Sequence, residues 1–286
     1  MSDLVTLHEV GPRDGLQNEP NLIATADKVR LINLLGTSGL RHIEVGSFVS
    51  PKWVPQMADT AQLLAQIAPN TAQTAVLVPN MKGWDGFIAA RQPSTDYQVA
   101  VFISASEGFS QSNVGCSIAD SVDRLAPVIK AAQSAGVALR GYVSCVTDCP
   151  FDGPTAPAAV AHAVAMLRGL APMPISLGDT IGHGTPHTVA AMLRAVLAHT
   201  PAQDLAGHFH DTGGRAIDNI SLSLDMGLRA FDTAVGGLGG CPYAPGALGN
   251  VATETVLARL HADGIHTGVD ADVIAQAAEL AKGMRS

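Results

Sequence analysis

The sequence predicts an α/β fold of the closed kind, a (β/α)8 TIM barrel with a C-terminal helical extension, built by residues 1–286 as one domain. Three observations predict it. Eight short β-rich segments recur at a mean spacing of about 30 residues, the length of one strand–helix unit. Apolar amphipathic stretches with helical spacing fill the intervals between them. Polar and ionisable residues gather directly after the strands, where a barrel places its chemistry.

The elements follow in chain order. Val5–Val10 is the first strand, and a helix over Ala26–Leu35 follows it, opened by Thr25 as a cap. His42–Gly46 leads to a helix over Met57–Ile67, and Thr74–Val78 and Val99–Ile103 are the third and fourth strands. Ser121–Ala135 is helical and runs into the fifth strand, Leu139–Ser144. Thr155-Ala156-Pro157 then starts a helix over Ala158–Leu170, and Ile175–Leu177 is the sixth strand. Thr185-Pro186 opens His187–Ala198, Leu205–Phe209 is the seventh strand, Ala216–Met226 is helical, and Ala230–Val235 closes the set. Strands that alternate with helices require a parallel sheet covered on both faces. A doubly wound open sheet is the competing reading, but the Gly-x-Gly-x-x-Gly turn expected after its first strand is missing.

Composition narrows the function. A net charge of −8, with no basic stripe and only three Tyr and two Trp, speaks against nucleic-acid binding. No apolar run is long enough to span a bilayer, and the N-terminus enters a strand pattern by Val5 without a signal-like apolar stretch, which predicts a cytoplasmic protein with no membrane partner. Cys116, Cys145, Cys149 and Cys241 read as reduced thiols. Cys145 and Cys149 lie four apart, with no second pair to complete a zinc knuckle.

The strand ends carry Gly11-Pro12-Arg13-Asp14, Glu44 and Ser47, Ser144-Cys145, Gly178-Asp179-Thr180, His208-Phe209-His210-Asp211, and the glycine-rich run to Cys241. In a barrel all of them converge on one mouth. His208 and His210 are two apart on a strand, so their rings share one side. With the carboxylate of Asp14 they form a compact N/O set suited to a catalytic divalent ion with open positions. Asp211 competes for the carboxylate role, but it points away from His210.

Several long segments resemble the 3-hydroxy-3-methylglutaryl-CoA lyase family. They are Val10 to Glu19 (VGPRDGLQNE), Ser47 to Met57 (SFVSPKWVPQM), Ser176 to Gly182 (SLGDTIG) and Gly236 to Ala244 (GGLGGCPYA). The resemblance runs over nearly the whole chain, to Gly264-Ile265-His266-Thr267-Gly268. It implies cleavage of HMG-CoA to acetyl-CoA and acetoacetate by a metal-dependent barrel lyase, in leucine breakdown or acetoacetate production. It also implies Mg2+ or Mn2+ as cofactor, a small-molecule acyl-CoA partner and a homodimer. Asn250 joins Asp14, His208 and His210 as a metal ligand by the same resemblance. Arg13 would face the thioester oxygen and neutralise the enolate, Cys241 would protonate the acetyl-CoA carbon, and Gln17 would position substrate. Glu44 and Asp179 would orient Arg13, the histidines or metal waters; either of them, or Asp14 or His208, could accept the hydroxyl proton.

Related synthases that condense acetyl-CoA with 2-oxo acids share the Arg-Asp-Gly-x-Gln core and the H-x-H pair, but not the loop around Cys241 in this form. A barrel that only binds its ligand is the third reading, opposed by the intact Arg13, Asp14, His208, His210 and Cys241. Pro20, where a Lys is common, His183, and Gly213, where a Tyr is common, depart from the family pattern. These departures raise a longer 3-hydroxy-3-alkylglutaryl-CoA as an alternative substrate.

Overall fold

The computed structural model describes residues 4–239 and 249–285. Eight parallel strands close into a barrel: β1 Thr6–Glu9, β2 His42–Ser47, β3 Gln73–Leu77, β4 Tyr97–Ser104, β5 Ala138–Ser144, β6 Ile175–Asp179, β7 Leu205–Phe209 and β8 Ala230–Thr233. Each strand pairs with its sequence neighbours. β1 closes the ring on β8, in the register Thr6 to Ala230 through Glu9 to Thr233. All eight expected strands are present, and the open-sheet alternative is excluded by closure.

The helices are α1 Thr25–Leu35, α2 Thr60–Leu64, α3 Met81–Ala90, α4 Glu107–Val114, α5 Ile118–Ser134, α6 Pro157–Leu170, α7 Pro186–Leu197, α8 Ala216–Asp225, α9 Thr253–Ala262 and α10 Ala271–Gly283. The expected helix over Met57–Ile67 shrinks to α2, preceded by a 3-10 turn at Pro55–Met57. Pro51 and Pro55 break the segment before it. Helix α3 lacks a clear sequence signal because Gly83 and Gly86 dilute its apolar stripe, and Asn80 starts it by accepting a hydrogen bond from Gly83 N at 3.0 Å. Helix α10 is the C-terminal extension and packs on α1 and on the Val235–Gly237 turn that follows β8. Among the described residues no helix is long and apolar enough to cross a membrane.

Alternation along the strands separates two interiors. Val76, Val99, Val101, Ile103, Val143, Ile175 and Leu177 face outward into the shell between sheet and helices, a single large apolar cluster. Leu77, Ala100 and Tyr142, with Phe102 beside them, form a small separate cluster inside the barrel. The rest of the barrel interior is polar: Glu44, Arg140, Ser176, His208 and Asp232 are all buried there. Cys116, Cys145 and Cys149 are free and buried. Cys149 Sγ accepts a hydrogen bond from Ser106 Oγ at 2.9 Å, and burial pushes the Cys145 thiol up to about 12.

Candidate active site

The first strand runs directly into a π-helical turn, Gly11–Gly15. Pro12 sits at its start, and Gly15 and Leu16 donate to the carbonyls of Val10 and Gly11, five residues back. Gly15 is required by close approach, because a Cβ there would stand 2.6 Å from Leu238 Cβ. The turn therefore seats against the segment after β8 and presents Arg13 and Asp14 at the mouth of the barrel.

Arg13 is 5% exposed and donates from Nη2 to Glu44 Oε2 at 2.8 Å and from Nη1 to Asp14 Oδ1 at 2.7 Å. Its guanidinium also lies over the Tyr142 ring, 5.5 Å from the centroid. Burial works to lower its pKa, but Glu44 and Asp14 outweigh burial and raise it, so Arg13 is a fixed cation. Tyr142 Oη donates to Glu44 Oε2 at 2.8 Å, while Glu44 Oε1 is buried without a hydrogen-bond partner.

Both oxygens of Asp14 are engaged. Oδ1 accepts from Arg13 and from Gln17 Nε2 at 2.9 Å; Oδ2 accepts from Asn250 Nδ2 at 2.8 Å. Burial alone would raise the Asp14 carboxyl, but Arg13 and the two histidines bring it down to about 2. Oδ2 also faces the Nε2 atoms of His208 and His210, each at 3.9 Å. One ligand atom from each of the three residues lies within 4.8 Å of the other two.

This donor set fits a divalent cation on three counts. It combines two imidazoles with an ionised carboxylate. Burial and the neighbouring His208 lower His210 to about 4, which keeps it neutral, and its buried Nδ1 has no hydrogen-bond partner. His208 donates from Nδ1 to Asp232 Oδ2 at 3.1 Å, which leaves Nε2 for the cluster. Asn250 arrives by pairing of its segment with the end of β7, where His210 and Asn250 form an antiparallel bridge. It reaches the cluster through Nδ2, so service as an oxygen ligand requires its amide to be turned over.

The other expected residues are distributed unevenly. Asp211 accepts from Ala216 N, the first N–H of α8, at 3.0 Å and stands outside the Asp14–His208–His210 cluster. Asp179 is fully buried and accepts from Thr147 Oγ1 at 2.7 Å and Gly184 N at 2.8 Å; it ties two loops together and does not line the mouth. Gln17 holds Asp14 rather than standing free. Cys241 lies outside the described residues. The mouth widens past Trp53 on the β2 side and past Phe109 and Arg124 on the α4–α5 side. Pro20, His183 and Gly213 are not among the described residues that line it.

Sequence reasoning missed Arg140, Tyr142, Ser176 and Asp232. Arg140 bonds both Tyr142 Oη, at 2.9 Å, and Asp232, which completes a circuit: Arg13, Glu44, Tyr142, Arg140, Asp232, His208 and back through Asp14 to Arg13. The available signal was an Asp inside an apolar strand beside one that ends in two histidines, together with Arg140 and Tyr142 two apart on β5.

The chain matches the HMGL-like family model over residues 4–281. It is 50% identical to the hydroxymethylglutaryl-CoA lyase of Pseudomonas mevalonii over 273 residues, covering 95% of this chain and 89% of that protein. Its fold superimposes on the HMG-CoA lyase of Brucella melitensis with a TM-score of 0.96 at 55% identity, over 99% of each chain. An Acinetobacter baumannii HMG-CoA lyase, solved in complex with coenzyme A and 3-methylmalate, matches with a TM-score of 0.93 at 34% identity, over 100% of this chain and 92% of that one. The match spans the barrel and every described residue of the site, and the chain belongs to the HMGL-like family.

Proposed function

We propose that this chain, acting as one catalytic domain over residues 1–286, is a divalent-metal-dependent carbon–carbon lyase that cleaves (S)-3-hydroxy-3-methylglutaryl-CoA to acetyl-CoA and acetoacetate. The carrying observation is the Asp14–His208–His210 cluster with the buried cation of Arg13 directly beside it, in a chain half identical to a lyase of that name. Asp14, His208, His210 and Asn250 would hold the ion, Mg2+ or Mn2+, which when bound supplies Lewis-acid activation of the tertiary hydroxyl.

Arg13 neutralises the thioester enolate. Its salt bridges to Glu44 and Asp14 fix the guanidinium before the charge develops, which is the condition for a large electrostatic contribution. Gln17 acts through Asp14, whose orientation it fixes. Cys241 donates the proton to the acetyl-CoA carbon. Of the groups open as proton acceptor for the hydroxyl, Asp14 is a weak base at about 2, and Asp179 already accepts from Thr147 and Gly184. The acyl-CoA enters by the mouth between Trp53 and α4. We place the enzyme in the cytoplasm as a homodimer, a setting in which its buried thiols stay reduced.

Acetoacetate release from HMG-CoA in the presence of Mg2+ or Mn2+, abolished by EDTA, is the expected result. No product, with turnover of a 2-oxo acid plus acetyl-CoA instead, would sink the reading in favour of a condensing synthase.

A further inference from the structure

Asp232 lies inside the barrel, 1% exposed, and is neither a ligand nor a catalytic group in the functional assignment above. Its carboxylate is contacted from three strands. Arg140 of β5 donates to Oδ1, Ser176 Oγ of β6 donates to Oδ2 at 2.7 Å, and His208 Nδ1 of β7 shares Oδ2 at 3.1 Å. Burial works to protonate this carboxyl, but Arg140 and His208 hold it well below the usual carboxylate range. His208 and His210 therefore differ: one has an anionic partner behind its ring, and the other has a buried Nδ1 with none.

We propose that Asp232 is a positioning residue for the cation site, an inference that rests on the metal reading above. A neutral imidazole carries one proton, and only the nitrogen without it can bind a cation. By accepting from Nδ1, Asp232 commits the proton of His208 to that atom and leaves the Nε2 lone pair facing Asp14 Oδ2. It also fixes the ring plane. Arg140 carries the same support onward, because it donates to Tyr142 Oη, which donates to Glu44, which holds Arg13. The cation ligand and the cation that meets the enolate thus share one buried frame. Loss of such a partner behind a ligating histidine costs about 10- to 100-fold in metal affinity.

The test uses the full-length protein and Mn2+ as the probe, titrated by calorimetry and by the EPR signal of the free ion. Asp232→Asn should weaken Mn2+ binding by about 10- to 100-fold while His210 remains in place. Wild-type affinity in this variant overturns the proposal. Failure of the wild-type protein itself to bind Mn2+ defeats the metal reading and this inference with it. Since Asp232→Asn strands the buried Arg140, the variant could fail to fold, so a second measurement uses the unaltered protein. In metal-free protein labelled with 15N at histidine and held at a pH where the His208 ring is neutral, long-range 15N–1H correlation should report His208 protonated at Nδ1 and bare at Nε2. A proton on Nε2 with a bare Nδ1 overturns the assignment, and a purely structural Arg140–Asp232 pair would not impose the expected tautomer.

Discussion

The two sides of the barrel mouth are built on opposite principles. On the β1–β7–β8 side the polar groups are tied together: Asp14 to Arg13, Gln17 and Asn250, and His208 to Asp232, while on the outer face of β1 Glu9 accepts from three backbone or hydroxyl donors. On the β3–β4–β5 side the wall is Leu77, Ala100, Phe102 and the ring of Tyr142. The first side sets charge in advance of the reaction, so no reorganisation is needed as the enolate forms. The second lines the mouth with apolar side chains, with Arg140 of β5 set below it, and lowers the local dielectric in which those charges act. Tyr142 belongs to both, with its ring in the apolar patch and its hydroxyl on Glu44.

Substitutions on the two sides should therefore fail in different ways. Arg13→Gln should show the largest effect, a fall in kcat of about 10²- to 10³-fold, or roughly 3–4 kcal/mol, with Mn2+ affinity near that of the wild type. Steady-state rates beside a Mn2+ titration decide it, and an unaltered kcat would undo the enolate role.

Glu9 supplies the next effect. It is fully buried, accepts from Gly11 N at 2.8 Å, Val235 N at 3.0 Å and Thr253 Oγ1 at 2.6 Å, and burial raises its carboxyl from 4.5 to about 7. A raised acid binds its proton more tightly in the folded state. Its contribution to stability is thus complete below pH 4.5 and is lost as pH rises through 7, by about 3 kcal/mol in total. Glu9→Gln, whose amide can accept from the two N–H groups and donate to Thr253, should remove that slope. Urea midpoints at pH 5 and pH 7.5 check it; an undiminished slope in the variant would assign the pH dependence elsewhere.

Leu77→Ala on the apolar side should cost about 2–3 kcal/mol of stability by opening a cavity. Its Mn2+ affinity should stay within about twofold of wild type, since the leucine reaches the ligands only through the Tyr142 ring. A tenfold loss of metal affinity there would show that the two sides are not independent. Asp211→Ala should have the smallest effect, about 1 kcal/mol from the lost hydrogen bond to the first N–H of α8, with no change in metal binding.

The barrel was legible in the sequence because its outward strand positions are runs of Val, Ile and Leu, which the shell demands at every turn of the repeat. Asp14, His208 and His210 were legible because strand ends converge in such a fold. Helices α3 and α4 were not, since glycines interrupt the first and polar residues fill the second. Asp232 escaped for a different reason. Its partners Arg140, Ser176 and His208 lie 92, 56 and 24 residues away, and a lone acid in a four-residue strand carries no periodicity that names them. Asp179 stands at a strand end as expected, and its carboxylate accepts from Thr147 and Gly184, partners 32 and 5 residues away that no spacing in the sequence names.

The pairing of β1 with β8 has a consequence for the order of folding. Asp14 meets Asn250 across 236 positions of chain, and Glu9 meets Thr253 across 244. Nothing in the first seven strand–helix units can assemble these contacts, however well those units have condensed. On the ribosome the cation site is therefore among the last features to come into being, after β8 and the segment beyond it have emerged. An ion bound there would then enter a finished barrel and would not be a template around which the early chain collects.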